Sequence, residues 1–183
     1  AARSSDYLFA AELSITAQPV TEGGNLDGTT HPWIRRELPR EKDWILQTDL
    51  ELLNIQFGEF MAGLIIELEE EDSRSRYAFG YKDGKELAVV KVTSSGSAGT
   101  VHATPFSYSD DVVIRIRRSA NQLFFEYSVE SGIWNQAHSL SINNNWVAID
   151  GGVFASTEEA KALRVAFDYL LLSSPEGISP ISD

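Results

Sequence analysis

The 183-residue chain has no cysteine, one methionine and three histidines. Without thiols there can be no disulfides, no thiolate metal sites and no cysteine nucleophile. This leaves the compartment open, since a cysteine-free chain suits the cytosol and the bacterial exterior alike. His31, His102 and His138 stand at no metal-ligand spacing. Basic residues are also few: 15 Lys and Arg against 27 Asp and Glu, a formal charge of −12. Nucleic acid is therefore disfavoured as a partner, because its affinity rests on cations at phosphates. An anionic membrane surface is disfavoured for the same reason. No run of 18 apolar residues occurs, so no membrane insertion is expected. There is no G-x-S-x-G elbow, phosphate loop or dinucleotide fingerprint, no internal repeat and no strong helical period.

Apolar residues (43%) and charged residues (23%) stand at ordinary globular levels. The length suits one domain, expected over residues 1–174, with a first strand and a long loop in 1–30. Residues 175–183 read as a linker or tail. The start, AARSSDY, has neither Met nor a signal peptide, and reads as a mature or excised piece of something longer. Short period-two runs between turn residues predict an all-β sandwich or barrel of about a dozen strands. Residues 7–15, 33–38 and 43–52 are the first of them. Ala62, Leu64, Ile66 and Leu68 then share one face, opposite Gly63, Ile65, Glu67 and Glu69. Tyr77, Phe79 and Tyr81 alternate with Ala78 and Gly80. Asp83-Gly84 signals a hairpin whose turn needs positive φ, and residues 86–92 return. Residues 94–99 read as a turn, and Val112 to Arg117 and Leu123 to Val129 flank another at 119–121. Residues 146–156 and 163–173 close the series; a helix over 157–172 is the weaker alternative, because VAFDYLLL reads as a buried strand.

Arg115-Ile116-Arg117-Arg118, a turn, Phe125-Glu126-Tyr127-Ser128, then Gly132 and Trp134 form an ordered pattern. Gly152 to Ser156 follow, and then Val165, Phe167, Asp168 and Leu171. With Asp43-Trp44, Ala62-Gly63-Leu64, Tyr77 to Tyr81 and Asp83-Gly84 upstream, residues 30–173 resemble bacterial concanavalin A-like jelly rolls. The accessory C-terminal sandwich of β-xylosidases and the enolase-regulation-like domains are nearest in pattern, and laminin G-type modules are more distant. The resemblance implies a two-sheet antiparallel jelly-roll β-sandwich. It also implies lectin-like glycan or polysaccharide binding, often beside a structural Ca²⁺. Glu130-Ser131-Gly132 replaces the family's usual Asp-Gly before the tryptophan.

Three functions compete. The first is a non-catalytic carbohydrate-binding module, joined to other domains of a larger secreted or surface protein. Its candidate ligand-binding residues are Trp134, Arg115, Arg117, Glu126, Phe124 and Tyr81. A cross-strand ion pair between Arg115 and Glu126 is the plainer account of that polar face. The second is a glycoside hydrolase or lyase using Glu67, Glu69 and Glu71, which share one strand face with steps of about 6.6 Å. Retaining glycosidases need carboxyls about 5 to 5.5 Å apart. A solvated acidic hairpin accounts for the same residues, and Glu67→Gln or Glu69→Gln is expected to leave the fold unchanged. The third is a structural spacer or protein-interaction domain. No cofactor is required; a Ca²⁺ would draw on loop carboxylates such as Asp27 and Asp150.

Overall fold

A computed structural model describes residues 5–9, 13–17, 33–40, 43–54, 59–70, 73–93, 98–106, 112–130, 132–143, 145–157 and 162–173. They form thirteen strands and no helix: β1 (Ser5–Phe9), β2 (Leu13–Ala17), β3 (Trp33–Glu37), β4 (Trp44–Leu52), β5 (Phe60–Glu70), β6 (Ser73–Lys82), β7 (Glu86–Thr93), β8 (Ala98–Pro105), β9 (Val112–Ser119), β10 (Gln122–Glu130), β11 (Ile133–Ser141), β12 (Trp146–Thr157) and β13 (Leu163–Ser173). The first sheet runs β1-β13-β4-β9-β10-β11, with β2 also on β13; the second runs β3-β12-β5-β6-β7-β8. Every pairing is antiparallel. The chain is the expected two-sheet β-sandwich.

Alternation along each strand puts every second side chain in the space between the sheets. From the first sheet come Trp44, Leu46 and Leu50, then Val112, Ile114 and Ile116, then Leu123 and Phe125, and finally Val165 and Phe167. Ala62, Leu64, Ile66, Tyr77, Phe79, Tyr81, Val89 and Val153 meet them from the second. Phe79 of one sheet meets Phe125 of the other edge-on at 5.7 Å. Each such large side chain stabilises by about 1.5–3 kcal/mol on burial, so this layer is the principal source of stability.

The outer face of the second sheet is apolar as well. Met61, Ile65, Ala78, Ala88, Val90, Val92 and Phe154 form a separate cluster, none more than 6% exposed. Gly63 and Gly80 sit opposite each other on this face. A Cβ on Gly63 would lie 2.2 Å from the Phe79 carbonyl oxygen, and one on Gly80 would lie 2.0 Å from that of Ala62. Only glycine lets β5 and β6 come this close.

The Asp83-Gly84 turn is as expected, with φ of 54° and 65°, and the Asp83 carboxylate accepts from the Phe60 amide at 3.2 Å. Two strands differ from the sequence reading. The single strand expected over 7–15 is two, both lying along β13. Strand β8 was not anticipated. It is an edge strand exposed over its first half, and its small polar residues carry little hydrophobic alternation.

Candidate ligand-binding site

Strands β9 and β10 form a hairpin in which Glu126 pairs with Arg115, Phe124 with Arg117 and Ser128 with Val113. All six face outward, because their sequence neighbours Ile114, Ile116, Leu123 and Phe125 are fully buried in the core. Arg115 Nε donates to Glu126 Oε2 at 2.7 Å, and Arg117 Nη2 donates to Oε1 at 3.1 Å. The expected Arg115–Glu126 ion pair is therefore formed, and Arg117 completes it. Burial alone would raise the Glu126 carboxyl, but hydrogen bonds from Arg117 and Arg115, with their charges, outweigh it and hold the pKa below the usual value.

Each guanidinium also stacks on a ring. Arg115 lies 3.7 Å from the Trp134 ring centroid, and Arg117 lies 4.1 Å from that of Phe124. Such contacts contribute about 0.5–1 kcal/mol when solvated and more when dry. A continuous row results: Trp134, Arg115, Glu126, Arg117, Phe124. Trp134 reaches it because β11 shifts register against β10 between the Phe125–His138 and Glu126–Gln136 pairs, leaving Ala137 as the extra residue. The bulge turns Trp134 outward and His138 inward.

Beside this row lies an open depression of about 360 Å³, lined by Gln47, Asp49, Val113, Ser128, Glu130, Trp134 and Tyr169 among others. Val113 gives it an apolar residue and two rings line it; among the described residues no basic one does. Gln47 Nε2 donates to the Tyr169 hydroxyl at 2.6 Å, and Ser128 Oγ donates to the Glu130 carbonyl at 2.6 Å. Tyr169 comes from a register break in β13 between Phe167 and Leu170. Flat rings beside fixed polar groups can receive the apolar face of a pyranose and its hydroxyls.

Of the residues singled out in the sequence, Trp134 lines the depression. Arg115 and Glu126 flank it, and Arg117 and Phe124 lie one step along the row. Tyr81 does not join them: it is 1% exposed and packs on Phe106 at 5.7 Å inside the sandwich, so no ring face is free for a ligand. Small residues beside it in sequence, Gly80 and Ala78, go outward instead. Gln47, Asp49 and Tyr169 were missed. The alternation of Gln47 with Asp49 was visible, but only the β4–β9 pairing brings them beside the hairpin.

Glu67 and Glu69 share the outer face of the second sheet, as the alternation predicted. Glu67 is buried there with both oxygens engaged: Oε1 by Arg74 Nη1 at 3.2 Å and Oε2 by Arg76 Nε at 2.9 Å. Glu69 is 3.6 Å from Arg74. Glu71 and Asp27 lie outside the described residues. Asp150, expected in or beside a loop, is in strand β12 and pairs with Arg35 at 3.3 Å. Among the described residues no three metal-ligating side chains converge.

No protein-family model matches the chain, and no curated protein does. Solved structures do. The GH43 protein BlXynB from Bacillus licheniformis superposes with a TM-score of 0.66 at 15% identity, over 89% of this chain and 33% of that one. A xylan β-1,4-xylosidase from Bacillus halodurans gives 0.64 at 12%, over 89% and 33%. This chain thus spans about a third of those enzymes. A functionally unknown protein from Saccharomyces cerevisiae gives 0.60 at 14%, over 94% and 97%. At these identities the likeness is one of fold: the chain is a β-sandwich of the kind found within these longer proteins and, nearly alone, in the yeast protein.

Proposed function

We propose that the chain is a non-catalytic carbohydrate-binding module, a concanavalin A-like sandwich akin to the accessory sandwich of β-xylosidases and part of a larger secreted or surface protein. The observation that carries this is Trp134, held rigid on Arg115 at the wall of a depression that also presents Tyr169, Gln47 and Asp49. Preorganised rings cost little entropy on binding. The carboxylates of Asp49 and Glu130 in the lining of the depression disfavour uronates. Similarity to sandwiches within GH43 proteins supports the reading. Glu67 supplies no competing catalytic group, since both its oxygens are held by guanidinium groups.

A glycan array with and without Ca²⁺ tests the proposal, using wild type and Trp134→Ala. Neutral β-linked glycans should bind the wild type and be lost in the variant. Binding to no glycan in either condition would favour a spacer or protein-interaction domain. Polysaccharide cleavage by the wild type, lost in a Glu67→Gln variant shown by circular dichroism to remain folded at the assay temperature, would make the protein an enzyme.

A further inference from the structure

One side of the sandwich is closed by the last strands of the two sheets, β11 and β8, which lie against each other. There His102 and His138 stack with centroids 5.2 Å apart and planes within 15° of parallel. Both rings point inward. His102 pairs with Val89 and His138 with Phe125, two core residues, and the Phe125 ring lies 6.2 Å from His138. His102 Nε2 is 3.2 Å from Thr104 Oγ1. Nothing in the sequence links the two rings, because the pair joins strands of different sheets.

We propose that this imidazole pair is an acid-sensitive latch between the two sheets, and that it controls the Trp134 groove through β11. Only the second half rests on the binding reading above. Neutral imidazoles stack as flat, weakly polar surfaces, whereas two imidazolium ions at this separation repel. Among the described residues no counter-charge faces them. Neither β8 nor β11 carries another ionisable side chain. On β10, Glu126 is spent outside on the arginines and Glu130 lines the groove. On β7, Glu86 bonds Lys82, and Lys91 directs its ammonium over Tyr77 and Trp146. Burial, then the charge of His102, push the His138 imidazole down. The sign follows: the unfolded chain takes up protons that the folded chain resists. Stability is therefore complete above the ordinary imidazole value of about 6.5 and declines as pH falls through it. Among the described residues strand β11 is an edge bonded only to β10, and its bulge carries His138 on one face and Trp134 on the other. Displacing β11 therefore disturbs the Arg115–Trp134 stack.

Imidazole proton NMR from pH 8 to 5, in a His31→Gln background, tests the latch. The His138 midpoint is expected below the ordinary imidazole value. His102→Gln should raise the His138 midpoint. The urea midpoint should fall between pH 7.5 and 5.5 in wild type and stay level in His102→Gln/His138→Gln. The Trp134 indole signal, identified by its loss in Trp134→Phe, should shift with the same pH midpoint. A His138 titration at the ordinary imidazole value would overturn the latch, and the wild-type titration decides this even where the double variant does not fold. An indole signal that ignores the titration would overturn the coupling to the groove. Failure to bind any glycan at any pH would remove the binding reading alone.

Discussion

Each sheet carries on its outer face a glutamate held by two arginines, two residues apart on the neighbouring strand. On the second sheet Glu67 of β5 is held by Arg74 and Arg76 of β6; on the first, Glu126 of β10 is held by Arg115 and Arg117 of β9. The register is the same in kind: Glu67 lies opposite Arg76, and Glu126 opposite Arg115. The surroundings differ. Glu67 has a side chain 3% exposed and shares its face with the apolar cluster of Ile65, Ala78 and Phe154. Glu126 is flanked by arginines that lie on Trp134 and Phe124. On one sheet the clamp neutralises a carboxylate so that its face can be buried. On the other it fixes two guanidinium groups as supports for aromatic rings beside a depression.

That difference can be broken at four places. The largest effect is expected from Glu67→Ala, which takes the carboxylate away from Arg74 and Arg76; both guanidinium groups keep contact with solvent, so the loss is about 1.5–3 kcal/mol. Glu67→Gln removes the same charge and should also lower the unfolding midpoint clearly. The solvated acidic hairpin expected here does not hold for Glu67, whose side chain is 3% exposed and held by both arginines. Glu126→Gln should cost about 1–2 kcal/mol by urea unfolding, in line with hydrogen bonds to charged groups. It also has a pH signature. The Glu126 carboxyl is lowered in the fold, so its contribution is present above the unfolded value of about 4.3 and is lost as pH falls through the folded value. The wild-type urea midpoint should therefore decline below about pH 4.3, and the variant should decline less. Trp134→Ala should reduce glycan affinity about tenfold or more, equal to about 1.4 kcal/mol, with little change in the unfolding midpoint. Glu69→Gln should cost under about 0.5 kcal/mol, because its pair with Arg74 is exposed.

The two clamps were not equally legible. Arg115 and Glu126 flank a short turn, so the hairpin register follows from counting outward, and the ion pair with it. Glu67 suggested catalysis because alternation shows which residues share a face and says nothing of what lies opposite. The polar run of residues 70–75 reads as a turn in the sequence, yet Arg74 and Arg76 already belong to β6. Trp134 and His138 would share a face under strict alternation; only the register shift in β11 separates them. Tyr169 likewise depends on an irregularity in β13. The fold, which rests on the majority of regular residues, was readable; the depression, assembled at two irregular ones, was not.

Strand β13 pairs on one side with β4 and on the other with both β1 and β2. Its partners in β1 and β2, such as Tyr7 opposite Leu171 and Ile15 opposite Val165, are about as far away in sequence as this chain allows. Chain order thus becomes a kinetic constraint. During synthesis the first sheet stays open along this edge until residues 163–173 have left the ribosome, with the inner faces of β2 and β4 waiting. Non-local pairings of this kind slow folding and prolong the exposure of sticky edges. The last of the described strands is the one that joins β4 to β1 and β2.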